Sequence, residues 1–216
     1  MINKNTKTRI YTSLVLLGLI FLIIKFNFIL AYTLIIFGVL SIIEILRIYE
    51  KIFSNNYYKY IINVFSIIYI FTFCYFFFLF SNLLQLKIIL YSLLLGCIAS
   101  DIGGFVLGKI LKGPKISKIS PNKTYAGVFG SIFFTSFTLS ILFFFFTGLF
   151  NFKILILSIL TSIGCQIGDL FFSYLKRKAK IKDTGNILPG HGGILDRIDG
   201  ILFGIPTGFI LLIIIY

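Results

Sequence analysis

Charged residues are scarce in this 216-residue chain, which also contains a single histidine. Asp, Glu, Lys and Arg make up 12% of the residues, and a soluble domain of this length usually carries about twice that share. Hydrophobic residues make up 58%, and the mean hydropathy is +1.04. One soluble core could not bury this much apolar surface. The composition therefore excludes a soluble globular domain and predicts an integral membrane protein.

Cysteine is scarce as well, and tryptophan is absent. The three cysteines, Cys74, Cys97 and Cys165, lie in apolar runs and show neither CxxC nor Cys/His spacing. This distribution is typical of small buried hydrophobic side chains. It implies neither a disulfide framework nor a zinc site.

Seven apolar runs approach the roughly 20 residues that a membrane-crossing helix needs. They cover residues 10–24, 28–46, 60–80, 86–108, 125–147, 153–175 and 200–216. The basic start of the first run resembles a secretory signal, but no cleavage site of small residues follows it, which predicts an uncleaved first helix. The sequence thus predicts an all-α polytopic membrane protein with about seven transmembrane helices.

The net charge of +13 is divided unevenly between the predicted loops. With the N-terminus inside, 17 of the 20 Lys and Arg residues fall on the inner side. This asymmetry predicts an N-in, C-out topology and explains most of the charge through anionic lipids, without nucleic acid. Two polar loops, 109–124 and 176–199, then face the inner side. We accordingly divide the chain into N-terminal membrane helices, 1–85, and a catalytic membrane region, 86–216.

The seven acidic residues are placed selectively. Asp101 and Asp169 lie inside apolar runs, where a carboxylate costs a few kcal/mol and needs a cavity, a cation or a partner. Asp196 and Asp199 are three residues apart, so they share one face of a helix. With Asp169 alongside, three carboxylates could surround a hard cation such as Mg²⁺.

Structural roles stay open for these acids. The two acids in apolar runs could each bond one helix to another, and the DxxD pair could cap a helix. Glu44 lies three residues before Arg47, a helical spacing that allows an ion pair, and we expect a structural role for it.

The stretch PGHGG, residues 189–193, precedes the last helical pattern and contains the only histidine, His191. Such a segment can present backbone N–H groups and a helix N-terminus to an anion. His191 could donate to a phosphate or bond a carboxylate, although a structural role is the alternative. Lysines in both inner loops add positive charge. Together these features predict a site for a polyphosphate and a phospholipid head group.

The stretch SYLKRKAKIKDTGNILPGHGGILDRID, Ser173–Asp199, resembles the signature of the phosphatidate cytidylyltransferases, the CDP-diacylglycerol synthases. ISPNKTYAG, residues 119–127, is similar to the family's Ser-Pro-x-Lys-Thr segment, and DIGGFVLGK, residues 101–109, to its Asp-containing membrane segment. The resemblance covers about 101–208, and the preceding residues match only as membrane helices. The chain is shorter than typical bacterial members, so one or two N-terminal helices are expected to be missing. Tyr125 stands where the family usually has Trp, a departure that bears on substrate fit.

The resemblance implies the reaction of CTP with phosphatidate to give CDP-diacylglycerol and pyrophosphate. It implies catalytic roles for Asp169, Asp196, Asp199, Lys176, Arg177 and His191. It implies magnesium as the cofactor, with Asp169 and Asp196 as its main ligands and Asp199 and Asp101 as further ligands. A second cation is also compatible with the resemblance. It implies substrate contacts for Ser120, Lys123, Thr124, Lys182, Asp183, Gly192, Gly193 and Arg197.

The expected location is a bacterial-type inner membrane with the active site on the cytoplasmic face, and the expected partners are CTP, phosphatidate and membrane lipids. The oligomeric state is open, with a homodimer among the options. A lipid kinase or CDP-alcohol phosphotransferase is one alternative, although the DGxxAR and GxxxDxxxD spacings of the latter do not fit this chain. An ion-coupled transporter is another; it would explain Asp101 and Asp169 but not the HGG segment.

Overall fold

Six long helices dominate the computed structural model, which describes residues 18–116, 120, 123–148, 151–187 and 192–215. They are α1 (Asn27–Ile52), α2 (Asn56–Ser81), α3 (Leu84–Leu111), α4 (Tyr125–Thr147), α5 (Phe152–Lys178) and α6 (Leu195–Ile215). Each is long and apolar enough to cross a membrane. The shortest, α6, has 21 residues, or about 31 Å at 1.5 Å per residue, which matches a hydrocarbon core of about 30 Å.

These helices confirm the predicted all-α membrane class. Hydrocarbon offers no water to the backbone, so each crossing segment must satisfy its own N–H and C=O groups, as a helix does. Residues 18–25 are also helical, and the rest of the first predicted span lies outside the described residues. An isolated antiparallel bridge pairs Lys115 with Thr124. The N-in, C-out orientation stays a prediction.

The chain divides into two compact units. The first comprises Met1–Leu83 and Leu175–Ile198, and the second comprises Leu84–Tyr174 and Asp199–Tyr216. Helices α5 and α6 each contribute residues to both units, because each continues across a boundary. The predicted functional division at residue 85 stays a prediction.

In the first unit, α1 and α2 pack through small and polar side chains. The Tyr49 hydroxyl lies 3.1 Å from Ser66 Oγ, so two buried polar groups satisfy each other. A Cβ atom at Gly38 would lie 3.2 Å from Cys74 Sγ, so α1 lies close to α2 at that turn. The cysteine is therefore a packing residue, as its apolar surroundings predict.

In the second unit, α3 and α4 pack backbone against backbone. A Cβ atom on Gly103 would lie 2.7 Å from Phe134 Cβ and would also overlap the Gly130 carbonyl oxygen. Glycine at such a position lets two membrane helices approach closely. Ser100 then joins three helices, because its carbonyl oxygen accepts from Ser131 Oγ at 2.8 Å and its hydroxyl lies 3.1 Å from Ser162 Oγ. This packing sets the turn of α3 that carries Asp101 against α5.

Candidate active site

The second unit contains an open pocket of about 290 Å³ with both polar and apolar lining groups, near the lower end of the usual ligand-site range. Its polar side chains come from α3, from the loop that precedes α4, from α4 and from α5. The lining side chains used below are Asp101, Ser120, Lys123, Thr124, Gln166 and Asp169. We call it the carboxylate pocket.

Lys123 is the positive partner of Asp169. Its Nζ donates to Asp169 Oδ2 at 2.8 Å, and the two side chains are 27% and 25% exposed, so both still reach solvent. The loop geometry places the lysine: Ile116 N donates to the Lys123 carbonyl oxygen at 3.0 Å, and Tyr125 N donates to Pro114 O at 3.1 Å. A carboxylate within an apolar helix requires a positive or hydrogen-bonding partner. Here that partner is the lysine of the Ser-Pro-x-Lys-Thr segment.

The first unit contains a different polar group, located where α6 begins. We call it the Glu44 cluster, and its members are Glu44, Lys176, Thr184, Gly193 and Asp196. Asp196 uses both of its oxygens. Oδ1 lies 2.6 Å from Lys176 Nζ. Oδ2 accepts from Thr184 N at 2.8 Å and from Gly193 N at 3.1 Å, and it lies 3.1 Å from Thr184 Oγ1.

Glu44 is fully buried, with a relative exposure of 0%. Its Oε1 accepts from Ile194 N at 3.0 Å, and its Oε2 accepts from Leu195 N at 2.9 Å and from Thr184 Oγ1 at 2.7 Å. The first N–H groups of α6 are therefore bound by carboxylates of the protein itself. These N–H groups therefore already have acceptors without a bound phosphate. The predicted phosphate contacts of Gly192 and Gly193 stay predictions.

The predicted site residues divide between the two units. Asp101, Ser120, Lys123, Thr124 and Asp169 line the carboxylate pocket. Asp199 belongs to the same unit, and its Oδ1 accepts from Gly200 N at 2.9 Å. Lys176, Gly193 and Asp196 belong to the Glu44 cluster.

The remaining predicted residues lie around that cluster or at the surface. Gly192 has a φ of 85°, which favours glycine, and a Cβ atom there would lie 3.1 Å from Asp196 Oδ2 and 3.5 Å from Asp183 Cβ. The side chains of Arg177, Lys182, Asp183 and Arg197 are exposed. His191 lies outside the described residues.

The donor set of the carboxylate pocket suits magnesium. Among the residues that the structure describes, no group of three or more His, Cys, Asp and Glu side chains is arranged to hold a metal ion. The pocket nevertheless joins two carboxylates, Asp101 and Asp169, with hydroxyl and amide groups. Magnesium typically takes one or two carboxylates and completes its shell with water and substrate phosphates, so these two residues fit a site that the substrate completes.

Three polar residues of these groups, Glu44, Thr184 and Gln166, were not predicted as site residues. Gln166 lines the carboxylate pocket and donates from Nε2 to Ser162 Oγ at 3.3 Å. Glu44 does not depend on the predicted pair with Arg47, which is exposed. The signal that could have identified Glu44 is the same one that identified Asp169: a carboxylate within a long apolar run is costly.

Comparison with known proteins gives a consistent result. A protein-family model described as the cytidylyltransferase family matches residues 4–215. A phosphatidate cytidylyltransferase of Helicobacter pylori is 44% identical over 117 residues, which cover 52% of this chain and 42% of that protein. The protein of the same name from Mycobacterium leprae is 38% identical over 113 residues, which cover 52% of this chain and 36% of that protein. The one from Staphylococcus haemolyticus is 42% identical over 132 residues, which cover 59% of this chain and 50% of that protein. The matches thus span about half the length of these curated relatives or less.

Proposed function

The chain belongs to the cytidylyltransferase family, and from this premise we propose that it is a phosphatidate cytidylyltransferase. The observation that carries the proposal is the family match over 4–215, which includes both the carboxylate pocket and the Glu44 cluster. The matched relatives bear this enzyme's name. In the proposed reaction CTP and phosphatidate give CDP-diacylglycerol and pyrophosphate.

The proposed chemistry needs no general base. A phosphate oxygen of phosphatidate, already ionised at neutral pH, attacks the α-phosphorus of CTP. The bond from that phosphorus to the oxygen bridging to the β-phosphorus breaks, and pyrophosphate leaves with that oxygen. The barrier lies in bringing two anions together and in stabilising the charge of the leaving group, so positioning and charge neutralisation dominate.

The carboxylate pocket contains the groups that such a transfer requires. Asp101 and Asp169 would hold magnesium, with Asp199 as a further candidate, and the bound ion would neutralise phosphate charge. Lys123 is a quarter exposed beside Asp169, so its ammonium group can also donate to a phosphate oxygen. Ser120 and Thr124 offer hydroxyl groups from the same lining.

In the first unit, we assign Asp196 and Lys176 to the reaction as a fixed ion pair whose partners set its position. The exposed side chains of Arg177, Lys182 and Arg197 suit the anionic lipid head group or the nucleotide. Phosphatidate keeps its acyl chains in the bilayer while CTP arrives from water. We therefore propose that the site faces the cytoplasm in a bacterial-type inner membrane, as the distribution of Lys and Arg residues favours.

Purified protein in liposomes containing phosphatidate tests the proposal. With CTP and magnesium, CDP-diacylglycerol and pyrophosphate should form in equal amounts, and omission of either substrate should abolish both products. Asp169→Asn should remove turnover, whereas Glu50→Gln, at an exposed carboxylate, should keep it. Phosphoryl transfer from ATP would instead indicate a lipid kinase. Ion flux without nucleotide turnover would indicate a transporter, and either result would overturn the proposal.

A further inference from the structure

Glu44 binds the start of α6 as an internal anion. Burying a carboxylate is costly unless it is hydrogen-bonded and its charge is balanced. Here three donors meet it, two of which are the backbone N–H groups of Ile194 and Leu195 at 3.0 and 2.9 Å. The start of a helix carries partial positive charge from aligned peptide dipoles, so a carboxylate is stabilised there. Glu44 comes from α1, far from α6 in the sequence.

The space for this carboxylate is made by two glycines. A Cβ atom on Gly185 would lie 2.6 Å from Glu44 Oε1, and a Cβ atom on Gly193 would lie 2.5 Å from Oε2. Real Cβ atoms do not approach oxygen this closely, so any larger residue would displace the carboxylate or the chain. The segment that surrounds Glu44 is therefore built around it on two sides.

Thr184 connects Glu44 to Asp196. Its hydroxyl oxygen lies 2.7 Å from Glu44 Oε2 and 3.1 Å from Asp196 Oδ2, and its single proton can serve one carboxylate at a time. Its backbone N–H donates to Asp196 Oδ2 at 2.8 Å. The chain segment that Glu44 holds thus also supplies the donors that orient Asp196, and Asp196 in turn holds Lys176.

We propose that Glu44 is a positioning residue for the cytidylyl transfer: through its bonds to Thr184, Ile194 and Leu195 it keeps Asp196 and Lys176 in their orientation. This inference rests on the proposed function. Glu44 itself touches none of the reacting atoms. It acts through its bonded partners, of which Thr184 is 140 positions away in the sequence.

Glu44→Gln tests the inference, because every partner of the carboxylate is a donor and the amide NH₂ must face one of them. Glu50→Gln, on the exposed side of the same helix, is the matched control. In full-length protein in nanodiscs, hydrogen exchange should accelerate in peptides covering 183–198 and remain unchanged in α4. The kcat for CTP turnover should fall by about 10- to 100-fold, as for other groups that orient reacting residues, with little change in KM for CTP. Glu44→Asp, which keeps the charge, should recover part of the kcat.

Several results would overturn the inference. A fall in kcat with unchanged exchange in 183–198 would mean that Glu44 does not act through this segment. Faster exchange with an unchanged kcat would mean that the segment's geometry does not matter for turnover. If Glu44→Gln fails to fold, Thr184→Val removes only the hydroxyl link, and wild-type kcat in that variant would also refute the inference. A wild-type protein without CTP turnover would refute the proposed function, and exchange alone would then decide whether Glu44 fixes the segment.

Discussion

The Lys176–Asp196 ion pair determines what a substitution at Asp196 can reveal. Asp196 Oδ1 lies 2.6 Å from Lys176 Nζ, and Oδ2 accepts from the backbone N–H groups of Thr184 and Gly193. Because every partner is a donor, Asp196→Asn would set an amide NH₂ against the ammonium group or against backbone N–H groups. This variant therefore changes local structure as well as charge. Lost turnover in it would not separate a catalytic role from a structural one.

The expected energies follow from burial. The two side chains are only 13% and 9% exposed, and removing one partner of a buried pair typically costs about 3–5 kcal/mol, because the other charge is left uncompensated. We expect a loss of about 3 kcal/mol in the free energy of unfolding for Lys176→Met and for Asp196→Asn, at the lower end because some solvent remains. The double variant, Lys176→Met with Asp196→Asn, leaves no unpaired charge. Its loss in the free energy of unfolding should therefore be about 2 kcal/mol smaller than the sum of the losses in the two single variants.

Reversible unfolding in mixed detergent micelles would give these free energies, and CTP turnover in liposomes would give the activities. If Asp196 takes part in the reaction, the double variant should be more stable than the sum of the single variants indicates and yet inactive. Wild-type turnover in the double variant would assign the pair to folding alone. Additive destabilisation would show that the two charges are not coupled, against the reasoning from their 2.6 Å separation.

Two further predictions concern single lysines, and a third concerns the membrane topology. Lys123→Met should lower turnover about 100-fold, as when one charge-stabilising donor is lost, whereas Lys115→Met, on the same loop but exposed, should leave it nearly unchanged; initial rates in liposomes decide. Lys180 has a φ of 57°, so Lys180→Gly should raise the free energy of unfolding by about 1 kcal/mol and Lys180→Ala should not. In a chain without native cysteines, an impermeant thiol reagent added to intact cells should label cysteine at Leu84 but not at Lys115 or Lys182; the opposite pattern would reverse the predicted topology.

The class of fold could be predicted because lipid leaves few choices for the backbone, but the helix ends could not. The predicted span 28–46 corresponds to α1, which continues to Ile52, and the predicted span 200–216 corresponds to α6, which begins at Leu195. Hydropathy falls where polar residues begin, although the helix can continue there with its polar side chains in water. At the start of α6 the early turn persists because Glu44 and Asp196 satisfy the N–H groups of Gly193, Ile194 and Leu195.

The partner of Asp169 is a second feature that could not be predicted from the sequence. The cost of a carboxylate in an apolar helix predicts that a positive group or a cation lies nearby, but five lysines occur in 109–124 and all were equal candidates. The choice of Lys123 depends on how the loop folds back, with Ile116 N bonded to the Lys123 carbonyl oxygen. Asp169 and Lys123 are 46 positions apart, so tertiary packing and not spacing makes the pair.

For Glu44, a basic residue nearby in the sequence led to the wrong expectation about its partner. Arg47 lies three residues on and offers a surface ion pair, yet Arg47 is exposed and Glu44 is fully buried. The pattern of α1 contains the reason: the buried positions Gly38, Ser41, Glu44, Ile45 and Ile48 recur at intervals of three and four residues, which is the stripe that faces a helix's packing partner. A carboxylate on that stripe must find its donors in another part of the chain. In this protein those donors lie at the start of the last helix, so a residue of the first unit's α1 determines the geometry around Asp196.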